Sequence, residues 1–280
     1  MITHPNVKLN LGLRVLRRRE DAYHDLETLF VPHEGLHDTL EIICGDDWSE
    51  TSAALFERYG AGGIAQAVSP DGKLMVTLAR REGIAWDPLQ DLTARAYDLL
   101  AEAYALPPMK IFLEKTAPVG AGLGGGSADA AFALRMMARL AGLELDDAAL
   151  ARFAARLGSD CAFFVYNRPM FGEGRGEILS PFELPALDAY RIEVIVPEGI
   201  SVSTAEAYAG IVPAEPSIPL RAVLARPVEE WKELLVNDFE TSVFARYPAL
   251  AAIKQSLYEQ GAVYAAMSGS GSALFGLFRR

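Results

Sequence analysis

Apolar and polar residues alternate through "NVKLNLGLRV", close to the start of the chain. Val7, Leu9, Leu11, Leu13 and Val15 share one face, and Lys8, Asn10, Gly12 and Arg14 the other. A period of two predicts a half-buried strand. Residues 38–44 (DTLEIIC), 72–78 (GKLMVTL) and 109–115 (MKIFLEK) are further strand candidates, and the acidic, small-residue stretch 45–71 reads as a loop-rich insertion. Over 90–106, Leu92, Ala96, Leu99, Leu100 and Ala103 fall at helical spacing, ended by Pro107 and Pro108. A helix is predicted from the glycine-rich stretch that follows to about Leu140, closed by Gly142. Another covers 146–157 and stops at Gly158, and "CAFFVY" (161–166) is a short apolar element.

Beyond about residue 185 the pattern changes. A strand is predicted at 190–197, a short helix at 203–211, a Pro-rich connector at 212–227, and helices at about 228–236, 238–245 and 248–260. "AVYAAM" and "ALFGLF" read as strands around "SGSGS" (268–272). Two lobes follow, 1–180 and 181–280. Both mix strands and helices without regular βαβ alternation, so the expected class is α+β rather than a doubly wound sheet.

Composition narrows the function classes. The net charge of −11 and pI of about 4.9 are the wrong sign for non-specific binding to nucleic acid or an anionic membrane. An anionic ligand must therefore be held by local backbone N–H groups and a few placed cations. Two cysteines, Cys44 and Cys161, form neither a disulfide framework nor a zinc set and suit a reducing cytoplasm. Neither a signal peptide nor an apolar run of about 18 residues is seen, so a cytoplasmic location without a membrane span is expected. No obligatory protein partner is evident.

The chemistry concentrates in "PVGAGLGGGSADAAFAL" (118–134), with five glycines in positions 120–126. Ser127 is a good N-cap, Asp129 falls in the first turn, and Phe132, Met136 and Leu140 lie on one helical face. Bare backbone feeding a helix N-terminus offers N–H groups and a positive dipole end to phosphate. No lysine follows the glycines, which rejects a Walker A loop. Gly120, Gly122 and Gly125 satisfy G-x-G-x-x-G formally, but Pro118 separates them from the strand that a dinucleotide fold requires. The protein-kinase motifs are missing as well. A tight loop without a ligand is the alternative.

Other candidates are open on pattern alone. Lys8, with Asn10 beside it, is a solvated strand lysine or a functional one. Asp160 caps a helix or serves as a general base. Tyr23 and His24 follow a charged turn, where exposed aromatics are common. His33 and His37 are four apart but flank Gly35 and lack a third ligand, so no metal site is read there. "SGSGS" is a hairpin turn or a second small-residue loop.

In combination these stretches resemble one family. "PVGAGLGGGSADAA" is similar to the phosphate loop of the GHMP kinases. "PNVKLNLGL", "REDAYHDLETLF", "LGSDCAFF" and "NRPMFGEGRGEIL" narrow the resemblance to the 4-diphosphocytidyl-2-C-methyl-D-erythritol kinase family, over nearly the whole chain. The resemblance implies a two-lobed fold with the active site in the cleft between lobes, and ATP-dependent phosphorylation of the substrate's 2-hydroxyl in the non-mevalonate isoprenoid route. It implies that Lys8 and Asp160 are the catalytic pair, Asp160 taking or orienting the hydroxyl proton and Lys8 keeping that carboxylate ionised. Pro118, Val119, Gly120, Ala121, Gly122, Leu123, Gly124, Gly125, Gly126, Ser127 and Ala128 would wrap the phosphates of ATP. Of the cytidine diphosphate substrate, His24 would hydrogen-bond the cytosine, Tyr23 and Tyr208 would stack on it, and Asn10 would touch the part near the catalytic pair. "SGSGS" would close over the phosphates. Mg2+ is expected with ATP; its protein ligands are unknown, Ser127 being suggested only by analogy. Ala22, Asp91 and Ala162 stand where the family usually has Gly, Asn and Pro.

Competing readings are a mevalonate- or homoserine-type GHMP kinase, a non-catalytic nucleotide-binding relative, and a nicotinamide-dependent oxidoreductase. Tyr23, His24 and Tyr208 argue against the first, because its substrates have no base to stack. The presence of Lys8 and Asp160 argues against the second, and Pro118 against the third.

Overall fold

The alternating segment folds as a strand, Asn6–Arg18, in a computed structural model that describes residues 1–280. Its apolar face is buried as expected. Its polar face is buried too: Lys8 and Asn10 are 3% and 2% exposed. Nothing is half-buried about that part of the strand, and a buried lysine needs partners.

In chain order the strands are β1 (Ile2–Thr3), β2 (Asn6–Arg18), β3 (His24–His37), β4 (Thr39–Cys44), β5 (Ile64–Val68), β6 (Leu74–Ala79), β7 (Met109–Glu114), β8 (Met170–Glu173), β9 (Ile178–Pro181), β10 (Tyr190–Ile195), β11 (Tyr264–Met267) and β12 (Leu274–Arg279). The helices are α1 (Ser52–Tyr59), α2 (Leu92–Ala101), α3 (Gly125–Leu140), α4 (Asp147–Leu157), α5 (Cys161–Tyr166), α6 (Thr204–Ala209), α7 (Leu220–Leu224), α8 (Trp231–Leu234), α9 (Phe239–Arg246) and α10 (Pro248–Glu259). None is long and apolar enough to cross a membrane.

The chain forms two compact units. One comprises Met1–Val7, His33–Pro118 and Gly124–Asn167; the other comprises Lys8–Pro32, Val119–Leu123 and Arg168–Arg280. A single boundary at 180 does not describe this division, and strand pairing gives the reason. In the second unit β3 pairs with β8 (Leu29 opposite Phe171), β8 pairs with β9, and Leu13 bridges to Asn237. These pairings bind N-terminal residues to C-terminal ones.

In the first unit a five-stranded sheet runs β1-β4-β7-β6-β5. Only β6–β7 is parallel; Ile111 of β7 lies opposite Ile42 and Val76, and all three are fully buried. Asp91 and Asp146 cap α2 and α4 through bonds from the backbone N–H groups of Thr93 and Ala149. The expected loop-rich insertion 45–71 is instead partly regular. It contains α1, which buries Leu55 against Ile43, Ala79 and Phe112, and the edge strand β5. The helix is eight residues long and buries one side chain, too little periodicity to announce itself.

The second unit holds the sheet β2-β3-β8-β9 and the antiparallel sheet β10-β12-β11. Leu13, Val15, Ala207, Phe239, Val243 and Met267 are among its core residues. A short helix, α7, interrupts the Pro-rich connector. Mainly antiparallel sheets with helices make the molecule α+β, and the doubly wound alternative falls away.

Candidate active site

Lys8, in the second unit, is buried and held by two hydrogen bonds. Its Nζ donates to Asn10 Oδ1 at 2.6 Å and to the Gly122 carbonyl at 2.9 Å. The Phe30 ring centroid lies 5.6 Å from the same nitrogen. Asn10 Nδ2 donates to Thr28 Oγ1 at 3.0 Å, and the Thr28 hydroxyl donates to the Gly12 carbonyl at 2.6 Å. Each side chain in this line is fixed by the next. The solvated-lysine reading is excluded, because burying an ammonium is costly without strong acceptors and this one has them.

Gly122 explains one glycine of the loop. Its φ is +77°, and an added Cβ would sit 2.3 Å from the Ser268 carbonyl oxygen. Only a residue without a side chain fits such an approach. Across this contact Ala273 N–H donates to the Ala121 carbonyl at 3.0 Å, and the Ser268 hydroxyl to the Gly122 carbonyl at 3.3 Å. "SGSGS" is thus a hairpin connection between β11 and β12 that also packs on residues 121–122, with Ser268 and Ser272 buried.

In the first unit α3 starts at Gly125, with Gly124 at the N-cap in the left-handed region. Ser127 is therefore the third helical residue and not the cap, since the left-handed glycine lets the helix begin earlier. Its hydroxyl donates to the Cys161 thiol, whose pKa burial pushes up to about 12. Asp129 is not a solvated first-turn acid either. It is 1% exposed and ion-paired with Lys115 Nζ, which also donates to Asp38 Oδ2 at 2.6 Å. Asp38 Oδ1 accepts the N–H groups of Thr116 and Ala117 at 2.6 and 2.7 Å, whereas Asp129 Oδ1 is buried without a partner. Burial pushes the Asp129 carboxyl well above its usual range. Burial also opposes the charge on Lys115, but the carboxylates of Asp129 and Asp38 outweigh it and raise that pKa. The leading amides of α3 lack intrahelical acceptors and lie at the positive end of a sixteen-residue helix, a ready anion site.

Asp160 precedes α5 at its N-cap position, half-buried, with helical backbone angles and no side-chain capping bond. Helix capping does not account for this carboxylate.

His24 opens β3 after a turn in which Ala22 has φ +66° and Arg19 donates to Asp21 and Asp25. The imidazole stacks on Tyr208, with centroids 4.8 Å apart and planes inclined by 19°; Tyr208 in turn meets Phe239 edge-on. Burial, aided by the charge of Arg18, lowers the His24 pKa. Tyr23 is 56% exposed, with the Arg175 guanidinium 4.8 Å from its ring centroid. The structure thus joins His24 to Tyr208, and Lys8 to Asn10 and Gly122.

Pattern reading missed the buried set Asp38, Lys115 and Asp129, the Arg175 contact, and Asn237, which donates to two backbone carbonyls of the 267–269 segment. Lys115 was legible in principle, as a charge ending an apolar strand beside the glycine loop. The partners of Asn237 are remote in sequence and left no signal.

Comparison with known proteins identifies the family. The family model for the GHMP kinases N terminal domain matches residues 91–168, and that for the GHMP kinases C terminal matches 220–280. The 4-diphosphocytidyl-2-C-methyl-D-erythritol kinase of Bacteroides fragilis is 45% identical over 278 residues, 99% of this chain and 92% of that protein. A crystal structure of 4-(cytidine 5'-diphospho)-2C-methyl-D-erythritol kinase superposes with a TM-score of 0.74 at 32% identity, covering 99% of this chain and 90% of that one. The mevalonate kinase of Methanococcus jannaschii shares the fold (TM-score 0.66, 13% identity, 100% and 90% covered). The chain belongs to the GHMP kinases and, within them, to the 4-diphosphocytidyl-2-C-methyl-D-erythritol kinase family.

Proposed function

We propose that this chain transfers the γ-phosphoryl group of ATP to the 2-hydroxyl of 4-diphosphocytidyl-2-C-methyl-D-erythritol, in the non-mevalonate route to isoprenoid precursors. The observation that carries the reading is the confinement of Lys8. A 3% exposed ammonium hydrogen-bonded to the Gly122 carbonyl places a fixed positive charge on the glycine loop of an acidic protein. Phosphoryl transfer relies on such positioning and charge neutralisation.

In this reading the amides at the start of α3 and the backbone of 118–128 hold the phosphates. The substrate hydroxyl oxygen bonds to the γ-phosphorus as the bond to the β–γ bridging oxygen breaks, releasing ADP. The hydroxyl proton passes to the Asp160 carboxylate and then to solvent. Lys8 balances charge gathering on the transferring group, and Asn10 keeps Lys8 in place. His24, with Tyr208 behind it and Tyr23 nearby, recognises cytosine; a neutral imidazole offers one donor and one acceptor. No group of three or more His, Cys, Asp or Glu is arranged to hold a metal. Magnesium is expected with ATP and would be carried chiefly by the phosphates and water, where it would neutralise their charge. A cytoplasmic location is part of the proposal, supported by the two free cysteines.

The transfer is tested with ATP carrying heavy oxygen in its γ-phosphoryl group. Mass spectrometry should find the label in a phosphomonoester of the cytidyl compound. Label appearing only in free phosphate contradicts the proposal.

A further inference from the structure

The run Asn237, Asp238, Phe239, Glu240 lies within the second unit, and three of its side chains bond to distant backbone. Asn237 is 2% exposed; its Nδ2 donates to the carbonyls of Met267 and Gly269, both at 2.8 Å, and its Oδ1 accepts Phe239 N–H at 3.0 Å. Asp238 Oδ2 accepts Val15 N–H at 2.8 Å. Glu240 Oε1 accepts Met267 N–H at 2.7 Å. Backbone bonds complete the join, from Leu13 N–H to the Val236 carbonyl at 3.0 Å and from Asp238 N–H to the Leu13 carbonyl at 2.9 Å. One short segment thus grips strand β2, which carries Lys8 and Asn10, and also the end of β11, where the 268–272 loop begins.

The gripped loop rests on the lysine. A Cβ added to Gly269 would lie 3.0 Å from the Gly122 carbonyl oxygen, 3.2 Å from Asn10 Oδ1 and 3.3 Å from Lys8 Nζ. We infer that Asn237 is a positioning residue for phosphoryl transfer: its amide holds the 268–272 loop against Lys8 and Gly122, so that the ammonium has one place to be. Asparagine suits the task. Two N–H donors reach two diverging carbonyls while the oxygen takes a third bond, and aspartate has the shape without the donors. Two buried carbonyls would lose their partner in its absence. Misplacement of a reacting group by about 1 Å costs about 10²-fold in rate.

The rate part of this inference rests on the kinase reading, so the test has an arm that does not. Asn237→Asp is compared with the unsubstituted chain for kcat, for KM of each substrate, and for labelling of Lys8 by an amine acylating reagent, mapped by mass spectrometry on protein that still melts cooperatively. The expected result is a kcat lower by about 10²-fold, with KM for the cytidyl substrate changed less than about threefold. Lys8, protected in the unsubstituted chain, should label about tenfold faster. Lys8 labelling that does not change in folded Asn237→Asp overturns the inference, as does an unchanged kcat. If the unsubstituted chain is inactive but Lys8 labelling rises in the variant, the loop-positioning role stands and the kinase reading fails. Should Asn237→Asp not fold, Gly269→Ala probes the same contact from the loop side. A similar fall in kcat supports the inference, and an unchanged kcat overturns it.

Discussion

The imidazole of His24 lies flat against the phenol ring of Tyr208, with centroids 4.8 Å apart. This contact helps keep His24 out of water, and burial is the main cause of its lowered pKa. Tyr208→Ala should therefore move the His24 pKa back toward 6.5, read by NMR titration of the ring. The same variant should raise KM for the cytidyl substrate by up to about tenfold, because His24 loses the ring that holds it in place, an aromatic pair worth about 0.5–1.5 kcal/mol. An unmoved pKa would separate the two residues functionally.

The sign of the pH effect follows. A depressed imidazole pKa keeps His24 neutral at pH 7, with both a donor and an acceptor for cytosine. Protonation removes the acceptor. Affinity for the cytidyl substrate should hold at neutral pH and fall as pH drops through the lowered His24 pKa, below 6.5. ATP affinity should not follow this profile. Steady-state kinetics between pH 5 and 8 with each substrate varied in turn decides the matter, and a parallel loss for ATP would assign His24 to the wrong ligand.

Asp160→Asn removes the proposed proton acceptor while keeping its shape. The expected loss in kcat is about 10²- to 10⁴-fold, the usual worth of general base catalysis. ATP binding, measured by calorimetry, should stay within about threefold. Retained turnover would remove Asp160 from the mechanism.

The buried set Asp38, Lys115 and Asp129 makes a stability prediction. Lys115→Met leaves two carboxylates in the interior without their cation, a loss of about 3–5 kcal/mol. Asp129→Asn should cost far less, because Asp38 retains the lysine and two backbone N–H donors. Denaturant titration of both variants gives the comparison. Equal losses would show that the three groups do not share one charge.

Ala22 sits at φ +66°, a left-handed conformation costing a non-glycine residue roughly 1–2 kcal/mol. Ala22→Gly should raise stability by up to about 1 kcal/mol once the greater freedom of unfolded glycine is counted. A decrease would show that the turn depends on the methyl group.

Much of this molecule was legible where a local rule decides the outcome. The period-two run gave β2, glycine marked the ends of α3 and α4, and the glycine loop led to the kinase family, whereas α2 stops at Ala101, well short of the 106 expected from Pro107. Legibility ended where distant partners decide. Pattern alone left Lys8 open between a solvated and a functional lysine, and only its enclosure by Asn10, Gly122 and Phe30 removes the first. Ser127 had the chemistry of an N-cap, but a left-handed Gly124 moved the helix start. Strand β3 was hidden by Pro32 and Gly35 within it, and β8 and β9 are only four residues each.

The most direct test of the central claim is an ADP-release assay with purified protein, ATP and magnesium, supplying the cytidyl methylerythritol substrate, mevalonate or homoserine in separate wells. Turnover with the cytidyl compound alone is the predicted result. Turnover with mevalonate or homoserine instead would contradict the roles given to Tyr23, His24 and Tyr208, and silence with every alcohol would contradict the kinase itself.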